Sequence, residues 1–472
     1  MLQPATPGQA FLLSYVSGVL WFCGTCYWVM ETMHRYGGLS APVAFVVTLV
    51  AALFVSLPLG LFGWLVIAMK APGRDLRGPL VLAPFLWVAV ELLRTRIFGV
   101  PWDMLGVSQV DNVALCRVAT WVGVYGVSFE IILVNVALAA AFLVPRRKRS
   151  AMLVAALASA AVLQCGVLLD PPAAPHDRTA LLVQQNISPE VDAQWTRERL
   201  RDTLQDLTAL SLKSSGESGS NSVNGIVWPE SPAPFFTNDA EFRNAIGEIA
   251  RGARTWVVAG AIGVGPTIPG EAPTAFNSAT LINPNTDWTT RYDKIHLVPF
   301  GEFVPLKQYL PFMDVLTKEV GEFGRGTSRA PLDASGTRLG VFICYESVFP
   351  DEVRQFAQQG AQVFINISND GWYGDSGAYL QHLNQTRMRA IENNRWLLSA
   401  TDTGLTASID PFGRIVAKLP RKQRAALAAP YALTSVTTFY TRYGDWFAFL
   451  CAIISAVALI LRRFPSKAGS SR

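Results

Sequence analysis

The chain has 472 residues, of which 50% are hydrophobic and only 16% are charged. A soluble chain carries roughly 25% charged residues, and the mean hydropathy of +0.28 departs in the same direction. This composition weighs against a chain that is soluble throughout, and membrane-spanning segments are sought first, with room left for one domain of ordinary size. The net charge of +5 is small, so where the cations lie matters more than their sum. Five of the six cysteines, Cys23, Cys26, Cys116, Cys165 and Cys451, lie in or beside apolar stretches, where cysteine behaves as a small hydrophobe. Cys344 stands alone in the polar middle, which excludes a disulfide framework there. Four scattered histidines lack ligand spacing, so neither a metal nor another cofactor is expected.

Six apolar stretches approach the ~20 residues needed to cross a bilayer. They run over 10–30, 42–69, 80–97, 118–144, 152–169 and 446–461. The first lacks a small-residue cleavage site and reads as a span rather than a signal peptide. Lys70, Arg74 and Arg77 follow the second span, Arg146, Arg147, Lys148 and Arg149 the fourth, and Arg462, Arg463 and Lys467 the sixth. Lys and Arg favour the cytoplasmic side, and all three clusters share it if the N-terminus is cytoplasmic. Arg35, Arg94, Arg96 and Arg117 form a weaker opposing set. Five spans then put the polar middle outside the cytoplasm. The expected organisation is a helical membrane bundle of about five spans over 1–170, a domain over 177–432, a membrane helix over 445–462 and a cytoplasmic tail over 463–472.

The linker Asp170-Pro-Pro-Ala-Ala-Pro175 opens the domain. Runs at 179–183, 225–228, 255–261, 338–343 and 362–367 are rich in Val and Ile, are bounded by turn residues, and read as buried strands. Segments 239–252 and 350–359 read as helices between them, and 214–225 as a Ser/Gly/Asn-rich surface loop. Strand–helix alternation predicts an α/β domain.

Three segments carry chemistry. Ile226-Val-Trp-Pro-Glu-Ser231 is an apolar strand ending in a carboxylate, Tyr292-Asp-Lys294 puts a lysine after a turn, and Gly340-Val-Phe-Ile-Cys-Tyr-Glu346 ends a buried strand on a thiol. Reactive groups collect at strand ends in α/β sheets. A free thiol titrates near about 8.5, so a carboxylate is needed to take its proton and an ammonium to favour the thiolate and later an oxyanion. Glu230, Lys294 and Cys344 make a complete set for acyl transfer.

The same residues resemble the Glu-Lys-Cys triad of the nitrilase (carbon–nitrogen hydrolase) superfamily. The wider motifs resemble the bacterial apolipoprotein N-acyltransferase family: Trp228-Pro-Glu-Ser231, Lys294-Ile-His-Leu-Val-Pro-Phe-Gly-Glu302, Cys344-Tyr-Glu346, Ile367-Ser-Asn-Asp-Gly-Trp-Tyr-Gly374, Arg387-Met-Arg-Ala-Ile-Glu392 and Asp410-Pro-Phe-Gly413. Phe98-Gly-Val-Pro-Trp102 with Ser108-Gln109 is similar to an extracytoplasmic loop of that family. The resemblance covers nearly the whole chain. It implies a four-layer αββα domain on a multi-span α-helical membrane bundle in the bacterial inner membrane, with the catalytic domain periplasmic. It also implies transfer of an acyl chain from a membrane phospholipid, through a Cys344 thioester, to the amine of a diacylglyceryl-cysteine apolipoprotein. The expected enzyme acts as a monomer and has no nucleic-acid partner. The family usually carries eight spans, so a further pair would lie ahead of residue 10, either missing from a short chain or upstream of it.

Glu302 and Glu346 match family acids near the thiol, and Tyr345 matches a position next to the nucleophile. Trp195 matches a tryptophan that touches lipid, and Trp228 is a second substrate-binding candidate. A lid is expected over 303–313. An anchored amidase using water as acceptor is the alternative enzyme, although it would need one span rather than a bundle. A non-catalytic lipoprotein-binding module is the alternative from another class, and the intact triad weighs against it. Cys23-Gly-Thr-Cys26 has redox spacing but lies in a span. Arg94 and Arg96 are read as snorkelling side chains, with lipid-phosphate binding as the alternative.

Overall fold

The computed structural model describes residues 6–70, 77–143, 171–189, 195–217, 223–266, 273–285, 288–303 and 322–463, together with isolated positions between 150 and 168. It divides into two compact units. One holds 1–27, 45–171 and 443–472, and the other holds 28–44 and 172–442.

In the first unit, three helices among the described residues are long and apolar enough to cross a membrane: Ala41–Ala68, Gly78–Arg96 and Val124–Phe142. Pro7–Thr25 and Trp28–Arg35 pass the same test only together, bent by 53°. Trp446–Arg463 is a shorter apolar helix. Apolar side chains such as Leu20, Phe45, Val50 and Ile453 are more than half exposed. A helix that is apolar on every side and not covered by protein suits a lipid surround. The expected span over 118–144 begins later, at Val124, because Gly123 takes φ +68 and ends the short helix Ala119–Val122. The expected span over 152–169 falls largely outside the described residues. The structure corrects the snorkelling reading for Arg94, which is buried, whereas Arg96 is exposed. Arg94 is buried and donates to the Trp102 and Asp103 carbonyls at 2.7 and 3.2 Å, and Arg96 pairs with buried Asp445 at 2.5 Å. Cys23 and Cys26 are both free thiols.

Among the described residues, the second unit contains two six-stranded sheets. The first has the order β12-β1-β2-β3-β4-β5, formed by Ala425–Tyr431 (β12), Arg178–Gln184 (β1), Ile226–Val227 (β2), Val257–Val264 (β3), Ala275–Ile282 (β4) and Trp288–Asp293 (β5). The second has the order β11-β10-β9-β8-β7-β6, formed by Ile415–Lys418 (β11), Ala407–Ile409 (β10), Leu397–Thr401 (β9), Val363–Ser368 (β8), Thr337–Ile343 (β7) and Leu332–Ala334 (β6). β1, β2 and β3 run parallel, as do β7, β8 and β9. Period-two alternation sorts the side chains. Ala180, Leu182, Val227 and Val258 point into the core shared by the two sheets, whereas Leu181, Val183, Ile226 and Trp228 pack against helices Arg197–Glu217 and Ala240–Ala253. Helices Pro350–Gln358 and Ala378–Asn393 cover the second sheet. The result is the expected helix–sheet–sheet–helix sandwich.

Asp239 caps Ala240–Ala253 by accepting from the backbone of Glu241 and Phe242, and Pro350 opens Pro350–Gln358 at a position where its missing N–H costs nothing. Both helices lie within a residue of the expected segments.

Candidate active site

The site is built from strand ends. Glu230 lies just beyond β2, Lys294 directly after β5 and Cys344 directly after β7. All three are buried: Lys294 is 1% exposed, and Glu230 and Cys344 are each 6%. The Glu230 turn crosses tightly over β3. A Cβ on Gly260 would stand 2.3 Å from the Pro229 carbonyl oxygen and 2.9 Å from Glu230 Cα, so only glycine fits there.

Lys294 Nζ donates to Glu230 Oε1 at 3.1 Å and to Glu302 Oε1 at 2.9 Å. Asn277, on β4, reaches the same two oxygens through Nδ2, at 2.7 and 2.6 Å. The second oxygen of each carboxylate is held by backbone. Asn369 N–H donates to Glu230 Oε2 at 2.9 Å, and Val298 N–H to Glu302 Oε2 at 2.8 Å. A buried ammonium is costly unless paired. Burial alone would lower the Lys294 pKa, but Glu230 and Glu302 outweigh it and hold the ammonium well above its ordinary value.

Cys344 takes φ +50, a left-handed conformation that a side chain resists. Three contacts hold this elbow. Glu346 Oε2 accepts from Ile343 N–H at 2.7 Å, His382 Nε2 lies 3.0 Å from the Cys344 carbonyl oxygen, and Ser347 Oγ lies 2.9 Å from the same ring nitrogen. Burial, and then the Glu230 charge, push the thiol well above its ordinary pKa, against the pull of Lys294 and a hydrogen bond with Ser368. The resting sulfur is a thiol, so its proton must leave for attack to occur.

Glu346 does not hold Lys294. Its Oε1 accepts from Tyr292 Oη at 2.7 Å, Ile295 N–H at 2.7 Å and His296 N–H at 3.1 Å, while Oε2 serves Ile343. It joins the lysine turn to the cysteine elbow. Tyr345 is half-buried and meets Phe349 edge-on at 5.2 Å. Trp195 is half-buried under the Arg199 guanidinium, 4.9 Å from its ring centroid. Trp228 is fully buried and donates to Ser211 Oγ at 3.0 Å. Because Trp228 faces the helix layer, the structure corrects the expectation that it binds substrate. The expected lid lies outside the described residues beyond Phe303.

The sequence reading missed Asn277 and His382. His382 lies on the helix Ala378–Asn393, with Nδ1 3.0 Å from Asp370 Oδ1, and Asp370 also accepts from Ser368 Oγ at 2.6 Å. Nδ1 faces the Asp370 carboxylate and Nε2 faces the Cys344 carbonyl beside the Ser347 hydroxyl, a setting that favours the protonated ring. Burial would lower its pKa, yet the Asp370 charge and hydrogen bond win and raise it. Two of the quoted motifs meet at this helix: Arg387 Nε donates to the Gly413 carbonyl at 2.6 Å, and within the helix Arg389 pairs with Glu392 at 2.8 Å.

The paired sheets with these groups at strand ends define the class: a carbon–nitrogen hydrolase domain, whose family model ("Carbon-nitrogen hydrolase") matches residues 181–439. A second model, "Apolipoprotein N-acyltransferase N-terminal domain", matches residues 1–137. The apolipoprotein N-acyltransferase of Geobacter metallireducens is 34% identical, covering 97% of this chain and 88% of that one. That of Methylococcus capsulatus is 35% identical, over 97% and 89%, and that of Azotobacter vinelandii 34%, over 98% and 89%. The solved structure of Saccharomyces cerevisiae Nit3, from the nitrilase superfamily, aligns with 55% of this chain and 90% of its own at 18% identity and a TM-score of 0.42. The chain belongs to the apolipoprotein N-acyltransferase family, membrane acyltransferases within the carbon–nitrogen hydrolase superfamily. These matches do not favour the amidase alternative.

Proposed function

We propose that Cys344 carries the acyl chain between two half-reactions, with Glu230 as base and Lys294 as oxyanion stabiliser. The observation that carries this reading is the buried Lys294 ammonium, shared between Glu230 and Glu302 beside a thiol held at a strained strand end. In the first half-reaction Glu230 takes the thiol proton as sulfur attacks the ester carbonyl of a membrane phospholipid. The C–O bond then breaks, Glu230 returns the proton to the leaving alkoxide, and lysophospholipid departs. In the second, the amine of a diacylglyceryl-cysteine lipoprotein attacks the thioester, and its proton passes through Glu230 to the departing sulfur. Lys294 stays cationic throughout and faces the oxyanion of each tetrahedral intermediate. Glu302 and Asn277 hold the lysine and the base in register, and Glu346 sets the elbow. Tyr345 and Trp195 are the aromatic side chains proposed to contact acyl chains.

The reading extends to topology. Residues 1–170 and 445–462 span the bacterial inner membrane, 177–432 form the periplasmic domain, 463–472 are cytoplasmic, and the enzyme acts as a monomer. The cation clusters at 146–149 and 462–463 support this orientation. The test is reconstitution of purified protein in phospholipid vesicles with a diacylglyceryl-cysteine peptide. The expected products are N-acylated peptide and lysophospholipid in equal amounts. Free fatty acid in place of N-acylated peptide would replace this reading with a hydrolase.

A further inference from the structure

A concavity that the proposed chemistry does not use adjoins the loop that holds Glu230. It has a volume of about 540 Å³, and its walls carry Arg35, Arg199, Arg421 and Lys422 against a single acid, Asp375. Asp375 pairs with Lys422 at 2.5 Å and Glu31 with Arg35 at 3.1 Å, which still leaves the cleft with net positive charge from Arg199 and Arg421. Arg421 is anchored. It donates to the Gly374 carbonyl at 2.6 Å, and its guanidinium stacks on Tyr379 with 4.0 Å to the ring centroid. A planar cation fixed in this way is pre-organised for an oxyanion.

Two observations identify what the cleft receives. The first is its link to the reacting groups. Gly371 lines the cleft and donates to Asn369 Oδ1 at 3.1 Å, and the Asn369 N–H holds Glu230 Oε2. One short loop therefore forms a wall of the cleft and positions the base. The second is the company of the cations. Arg35 ends the helix Trp28–Arg35 and Tyr36 follows it, in the segment that precedes the apolar helix Ala41–Val55, and Tyr36 meets Trp372 edge-on at 5.6 Å. Trp372 is 43% exposed, and Thr32 Oγ1 donates to its carbonyl at 2.9 Å. Cations together with an exposed Trp and a half-buried Tyr beside span ends are the composition of the headgroup level of a bilayer.

We propose that this cleft binds the phosphodiester of the phospholipid acyl donor, placing the glycerol ester at the thiol. The proposal rests on the phospholipid-donor reading above and names the group that recognises that donor. Arg199 and Lys422 supply direct charge, and Arg421 holds the loop.

The test compares wild type with the double variant Arg199→Gln/Lys422→Gln, in two arms. In the first, acylation of Cys344 is timed by intact mass with two donors: phosphatidylglycerol in mixed micelles, and a p-nitrophenyl alkanoate, which carries no phosphate. The ratio of the two rates is expected to fall at least tenfold in the double variant. An unchanged ratio overturns the proposal, as does a loss confined to the acceptor-peptide step, which would make the cleft a peptide site. The second arm needs no catalysis. Glycerophosphoglycerol and inorganic phosphate are titrated by calorimetry into each protein in a sugar detergent. Saturable binding of the phosphodiester to wild type, weakened at least tenfold in the variant, supports the proposal. Absence of such binding, or tighter binding of inorganic phosphate than of the diester, overturns it. A wild type that binds the diester but takes no acyl chain from phospholipid would refute the donor reading while leaving the cleft as a phosphodiester site.

Discussion

Glu302→Gln isolates what the second carboxylate does for Lys294. Wild-type Glu302 Oε1 accepts from Lys294 at 2.9 Å and from Asn277 at 2.6 Å, and Oε2 accepts from Val298 N–H at 2.8 Å. An amide fills the same space but offers one acceptor and one donor. The oxygen is best kept toward Lys294 and Asn277, so the new NH₂ group faces Val298 N–H, and that backbone donor loses its partner. Charged hydrogen bonds are worth roughly 1.5–3 kcal/mol and about twice a neutral one, so the grip on Lys294 weakens by about 1–2 kcal/mol. If that loss falls in the transition state, kcat/KM drops by about 5- to 30-fold. Lys294 also loses one of the two carboxylates that hold its pKa up. Its proton then leaves at lower pH, and the alkaline limb of the rate profile moves toward neutrality. The assay is acyl transfer from phospholipid to lipopeptide across pH 6–10, with thermal melting to confirm folding. Wild-type kcat/KM together with an unmoved alkaline limb would refute the reasoning.

Glu346→Gln is expected to act on stability first, because its oxygens accept from four donors and an amide must oppose at least one of them. An unpaired buried donor costs about 1–3 kcal/mol, so the melting temperature should fall clearly, as calorimetry would show. For His382→Gln, thermal melting from pH 6 to pH 9 is the check. A raised imidazolium pKa gives wild type a stabilisation that is full below the ordinary value of 6.5 and is lost as pH rises through the folded value, so the variant should show a flatter decline. The same variant should slow acylation about tenfold by loosening the Cys344 elbow. Lys213→Cys, at a side chain 74% exposed, should react with an impermeant maleimide on intact spheroplasts, and protection until lysis would reverse the proposed orientation.

Most of what is legible in the sequence follows a run whose apolar character marks it locally. β1, β3, β7 and β8 are such runs, Cys344 ends β7, and Glu230 follows the short apolar strand β2; Lys294 is the exception, legible from the motif around it and not from β5. β4, β5 and β12 were not legible. Their sequences, AFNSATLI, WTTRYD and AALAAPY, mix small, polar and alanine residues, and only pairing with neighbours makes them strands. Asn277 and His382 were hidden for a related reason. A polar residue inside a strand or helix looks like any solvated one until its partners arrive from elsewhere in the chain. Trp228 shows the reverse error. It sits in a telling motif, but strand alternation places it with Ile226 on the helix-facing side, away from Val227. Glu346 was read by its distance from the thiol, whereas its role follows from the four donors around it.

The most direct measurement of the central claim is intact mass of the protein after incubation with phospholipid and no acceptor. Wild type is expected to gain one acyl chain, which neutral hydroxylamine removes, with an equal amount of lysophospholipid released. Cys344→Ala should gain nothing and form no N-acylated peptide. An acyl transfer rate near wild type in Cys344→Ala would contradict the claim, because the amine would then attack the phospholipid ester directly.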